Sequence, residues 1–114
     1  MQIIRFTAMP ITQFGSAFAM THVLRTRDGV QAGIAQLPPG GRIGRHAAAA
    51  NQLLLVIAGS GSVSGVDGVR VDIVAGDAAF WTEGEAHETS SGDGLTALVL
   101  EGPGVRPAAL LPKS

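Results

Sequence analysis

At 114 residues the chain has the size of one domain and can bury a core without metal or disulfide staples. A formal charge of -1 lacks the clustered positive charge that nucleic acid or an anionic membrane requires. With no cysteine, a disulfide framework, a thiolate metal site and a cysteine nucleophile are all excluded. Hydrophobic residues make up 46% of the chain but aromatics only 4%, so Ala, Val, Ile and Leu must fill the core, which suits a small barrel or sandwich.

Met1 to Pro10 mixes Gln2 and Arg5 into its apolar residues and lacks the basic start and apolar centre of a signal peptide. The apolar stretch Ala47 to Gly59 is interrupted by Asn51 and Gln52 and is too short to cross a bilayer. A soluble, cytoplasmic protein is expected.

Ile3 to Thr7 reads as a short first strand, broken by Pro10 to Ser16. Ala17 to Arg25 alternates, with Phe18, Met20, His22 and Leu24 on one face. Asp28-Gly29 is a hairpin turn, Val30 to Leu37 is the returning strand, and Pro38-Pro39-Gly40-Gly41 ends it. Ala47 to Ala50 is too short to hold a helix and is placed on a strand or its approach.

Leu53 to Ala58 is a compact apolar run expected as a buried central strand, followed by a turn at Gly59-Ser60-Gly61. Ser62 to Val66 and Val69 to Val74 form a hairpin across Asp67-Gly68. After a turn at Gly76-Asp77 comes the strand Ala78 to Thr82, then a loop, Glu83 to Ala86. His87 to Ser90 and Leu95 to Glu101 are the last two strands, joined by Ser91 to Gly94. Pro103, Pro107 and Pro112 make residues 102–114 an extended arm. Many short strands at regular turn spacing imply a closed or double-sheet, all-β architecture in a single domain, 1–114.

Two glycine-punctuated segments carry histidine. In the first, about 40–59, Gly40 is followed after five residues by His46, then by Gln52 and Gly59; in the second, about 76–91, Gly76 precedes Gly84 and His87. This pairing resembles the two motifs of the cupin superfamily, over about Pro38 to Glu101. The resemblance implies a small single-domain cupin: a double-stranded β-helix, or RmlC-like jelly-roll barrel.

Where that family has a second histidine this chain has Ala48, and the glutamate position holds Gln52; in the second motif Thr82 and Ser91 stand where proline and asparagine are usual. Carried over by position, the metal-binding set is His46, Gln52 and His87. Neutral imidazoles with an amide oxygen suit a divalent zinc, iron, nickel, manganese or copper ion. The lost carboxylate removes the charge that offsets a cation. Without metal, His46 and His87 become hydrogen-bonding cavity histidines, one of them oriented by Gln52. His22 is either a core or rim histidine or a ligand pointing inward in place of Ala48.

Glu83, Glu85 and Glu88 flank His87; a glutamate turned inward would be an acid, a base or a histidine partner, and Glu85 and Glu88 are the candidates. Parity lets only one of Phe80 and Trp81 face inward, and Trp81 is the expected wall for an organic ligand. No glycine loop precedes a helix to cradle phosphate, and Ser60, Ser62 and Ser64 have no histidine and acid beside them.

The functional expectation is a barrel that binds a small organic molecule, with or without a divalent metal. The alternatives are a metal-dependent enzyme of dioxygenase, isomerase or decarboxylase type, as the resemblance allows, and a structural barrel whose interior is filled. A homodimer is expected through an open sheet edge and the C-terminal arm.

Overall fold

The computed structural model describes residues 1–110. Its nine strands are β1 (Met9–Ile11), β2 (Phe18–Arg25), β3 (Gln31–Leu37), β4 (Arg42–Ala47), β5 (Gln52–Ser64), β6 (Val71–Val74), β7 (Ala78–Trp81), β8 (Ala86–Ser90) and β9 (Leu95–Glu101). Short 3-10 turns occupy Gln13–Gly15 and Ala108–Leu110. All pairings are antiparallel, in the order β1-β2-β3-β9-β5-β8-β4, with β6 and β7 also paired to β5. The sheet curls into a jelly roll. No helix among the described residues is long and apolar enough to cross a membrane.

The 13-residue β5 joins the two halves. Gln52 to Gly59 pairs with β9, and Ser60 to Ser64 pairs with β6 and β8. The turn expected at Gly59-Ser60-Gly61 is therefore not a turn. A bulge between Val56 and Ala58, followed by Gly59 at φ +84°, bends one continuous strand from one half to the other. A side chain at Gly59 would also run into the Gly94 carbonyl.

Other expectations change too. Residues 3–7 form no strand; the first strand is Met9–Ile11, where Pro10 is tolerated because β1 lies at an edge. The strand carrying His46 is Arg42–Ala47, and Ala48 to Ala50 lies in the following loop. Gly102 donates its N–H to the Asn51 carbonyl and the Asn51 amide donates to the Val105 carbonyl, so the first part of the arm folds back on its own barrel. Residues 111–114 of that arm lie outside the described residues.

The interior follows from alternation. Gln52, Leu54 and Val56 of β5, Leu95, Ala97 and Val99 of β9, and Ala35 and Leu37 of β3 are buried. Burial of each large aliphatic side chain contributes about 1.5–3 kcal/mol. The opposite parity of the same strands is also largely apolar, apart from the Gln36–Thr96 pair at one end. Register aligns Leu24, Ala32, Leu100, Leu53 and Phe80 in one row on the outer face and Ile34, Leu98 and Leu55 in the next. On that face Leu53, Leu55, Leu98 and Leu100 are half-buried, and Leu24 and Ile34 are exposed.

Candidate functional site

The two histidine segments meet where β4 pairs with β8. His46 and His87 are direct cross-strand partners, and their ring centroids lie 4.4 Å apart with the planes tilted by 53°. His46 is half-buried and borders a cavity of about 190 Å³, whereas His87 is only 1% exposed and is not among the residues that border it. On its other side His87 packs against Trp81, again at 4.4 Å. Trp81 is thus a buried support for His87; the residues bordering the cavity do not include it.

The wall above His46 is a local construction. Ser16 Oγ accepts the Gly44 N–H at 2.8 Å, and Arg42 Nε donates to the Gly15 carbonyl at 2.6 Å, which pins the Gln13–Gly15 turn onto β4. Gly44 is needed there because a side chain would strike the Phe14 backbone. Phe14 sits in the left-handed region at φ 58° and stacks on His46 with centroids 4.7 Å apart, nearly parallel. A backbone so disfavoured for a bulky residue is held by its surroundings, here the clamp and the ring stack.

Hydrogen bonding orients the His46 ring. Its Nδ1 lies 2.7 Å from the Gly44 carbonyl, which only accepts, so Nδ1 donates there and Nε2 is the nitrogen left for a ligand. Both His87 nitrogens are buried without a hydrogen-bond partner, as are Gln52 Oε1 and Thr89 Oγ1. Burial, aided by the nearby His46 and Arg45, lowers the pKa of His87 from 6.5 to about 4, so this ring is neutral at physiological pH.

Gln52 borders the same cavity as His46. Its register partners are Trp81 on one side and Glu101 on the other, and Glu101 is itself opposite Gln31. Glu101 shares the inward parity of Gln52, and it too borders the cavity. It is the acidic residue that sequence reading missed, because only the β5–β9 register connects it to the histidine segments. Phe18, Met20, Ile43 and Val99 supply apolar wall, and His22 stands exposed at the rim on β2. Among the described residues no lysine or arginine borders this cavity.

The structure does not bring Glu85 or Glu88 there. Glu85 accepts the Thr82 N–H and sits against Gly65 on another face, held by the turn that precedes β8. Glu88 lies between buried His87 and Thr89 on β8, so alternation turns it away from the interior. Ala48 is buried and is bonded through its backbone to Gly84 and Glu85.

For a divalent metal, the available donors are His46, His87 and Gln52, all neutral. The unpartnered buried atoms of His87 and Gln52 are of the type a late transition ion takes, and none of the three donors is a carboxylate that would offset its charge. Among the described residues no group of three or more His, Cys, Asp or Glu is arranged to hold one.

Known structures share this architecture. The polyketide cyclase of Streptomyces resistomycificus superposes with a TM-score of 0.76 at 20% identity, covering 90% of this chain and 79% of that one. A cupin 2 conserved barrel domain protein from Rhodopseudomonas palustris gives 0.73 at 17% identity, with 96% and 79% covered. A predicted oxalate decarboxylase from Thermotoga maritima gives 0.72 at 21%, with 87% and 96% covered. Identities this low establish the fold alone. No curated protein matches the sequence. The cupin domain family model matches residues 33–102, which include both histidine segments and Glu101; with the jelly roll and the paired histidines, this shows that the chain belongs to the cupin superfamily.

Proposed function

We propose that the protein binds a small organic molecule in the cavity bordered by His46, Gln52 and Glu101. The observation that carries this reading is the pairing of a buried, unpartnered acceptor, Gln52 Oε1, with a neighbouring carboxylate in an otherwise apolar pocket. Leaving a buried polar atom without a partner costs about 1–3 kcal/mol, which a ligand donor would recover. A pocket with apolar walls and a few convergent polar groups is the usual form of a small-molecule site.

Size and charge narrow the ligand. An apolar cavity of about 150 Å³ accommodates benzene, so about 190 Å³ takes one ring with a short substituent. With Glu101 at the wall and no arginine or lysine among the described lining residues, the pocket favours neutral or cationic hydrogen-bond donors over carboxylates and phosphates. The open cavity also favours ligand binding over a filled, purely structural barrel.

A second reading adds a divalent metal at His46, Gln52 and His87, favoured by the orphaned His87 nitrogens and Gln52 Oε1. Bound there, such an ion would supply Lewis-acid or redox chemistry, and the protein would then be a metal-dependent enzyme. Native mass spectrometry and elemental analysis of protein purified without an affinity tag separate the readings. A bound organic mass without stoichiometric metal supports the first; stoichiometric metal supports the second.

A further inference from the structure

We infer that the ligand cavity continues past Glu101 into a second subsite, lined by Gln31 and His22, which takes an amine carried on a short chain from the ring. The inference rests on the reading that the cavity bordered by His46, Gln52 and Glu101 holds a small organic molecule. A smaller cavity, of about 80 Å³, is bordered by Met20, His22, Gln31, Gly33, Val99 and Glu101. Four of these, Met20, His22, Val99 and Glu101, also border the larger cavity, so the two lie side by side along a common wall.

A glycine makes the room. His22 on β2 pairs with Gly33 on β3, and Gly33 pairs with Val99 on β9, so the middle residue of this row carries no side chain. Gly33 is not in the left-handed region that calls for glycine. A Cβ there would lie 2.9 Å from Met20 Sδ and 2.9 Å from the Thr21 carbonyl oxygen, so the position is kept bare by lack of space.

The polar groups are graded along the next row. Gln52, Glu101 and Gln31 are register partners on β5, β9 and β3. Gln52 is 6% exposed, Glu101 is half-buried and Gln31 is exposed, so the row leads from the interior to the mouth. Phe14, Phe18 and Ile43 border the larger cavity and not the smaller. A ring therefore belongs at their end, and a donor at the other, where the Glu101 carboxylate and the Gln31 amide oxygen both accept. Next in the row, Arg25 is exposed and borders neither cavity.

Size sets the chain length. By the measure that gives benzene about 150 Å³, about 80 Å³ is half a ring, or about three heavy atoms. Neighbouring strands lie about 4.8 Å apart, which is the step from Glu101 to Gln31. Two methylenes and a terminal nitrogen match both figures. The ligand class is thus an arylalkylamine rather than a bare ring.

Calorimetric titration at neutral pH tests this with benzylamine, which fits the larger cavity alone, and phenylpropylamine, which adds two methylenes before its nitrogen. The proteins are the wild type, Gln31→Leu and the control Gln36→Leu, a change of the same kind on the opposite face of β3 that borders neither cavity. Both glutamines are exposed, so both variants should fold, and circular dichroism confirms this. The wild type and Gln36→Leu should bind the longer amine at least about tenfold more tightly than benzylamine, through two further buried methylenes and the added acceptor. Gln31→Leu should lose at least about fivefold in affinity for the longer amine, through the lost hydrogen bond to a charged group, and bind benzylamine unchanged. The inference is overturned, with the ligand reading intact, if benzylamine binds and the longer chain adds nothing. It is equally overturned if Gln31→Leu weakens both amines alike or neither, or if Gln36→Leu loses as much. Binding of neither amine overturns the inference together with the reading it rests on.

Discussion

His46 and His87 pair across β4 and β8 with their rings 4.4 Å apart, yet only His46 reaches the cavity. One histidine is therefore available to a ligand, and the other is enclosed between it and Trp81. That difference in burial gives His87 a measurable signature.

The folded pKa of His87, about 4, is below its unfolded value of 6.5, so the unfolded chain binds more protons between them. The stability contributed by neutral His87 is intact above pH 6.5, declines as pH falls toward 4 and levels off below that. The full loss is on the order of 3 kcal/mol. Chemical denaturation across this range should show the decline in the wild type, and His87→Phe should flatten it. A wild-type profile without slope between pH 6.5 and 4 would show that the ring is not enclosed.

Gly59→Val and Gly76→Val should differ. Both glycines have positive φ, but a side chain at Gly59 collides with the Gly94 backbone, whereas Gly76 faces open space. Gly76→Val should cost about 1–3 kcal/mol of strain, and Gly59→Val should cost more or prevent folding, because β9 must move. Thermal melts of both variants check the order.

If metal binds, His87→Ala should abolish it and His22→Ala should leave it nearly unchanged, as metal content after each substitution will show. The double variant Ala48→His with Gln52→Glu should raise metal affinity at least about tenfold, or about 1.4 kcal/mol, by adding an imidazole and a negative charge. Titration of the apo forms measures this. A folded double variant with no gain would mean that the donors do not converge.

The hairpin at Asp28-Gly29 and the strands carrying Phe18 and Leu95 were legible because alternation and turn residues agree there. The strand Arg42–Ala47 escaped because its register shifts between Ile43 and His46, which places Ile43 and Gly44 both inside and breaks the period of two. The length of β5 escaped because glycine usually ends a strand, whereas Gly59 bends this one. In the site, His46, Gln52 and His87 were marked by their glycine frame. Glu101 lies 14 residues beyond His87 and 49 beyond Gln52, and only strand pairing brings it alongside. Phe14 carried no signal, since a left-handed backbone at a bulky residue is imposed by its neighbours.

The most direct test of the proposed ligand class is calorimetric titration of the wild type and Glu101→Gln with three single-ring compounds of matched size: an amine, an alcohol and a carboxylate. At neutral pH the wild type should bind the amine most tightly, at least about tenfold over the carboxylate, since a hydrogen bond to a charged group contributes about 1.5–3 kcal/mol. Glu101→Gln should remove most of that preference. Tighter binding of the carboxylate, no binding of the amine, or the same preference in Glu101→Gln would contradict the account.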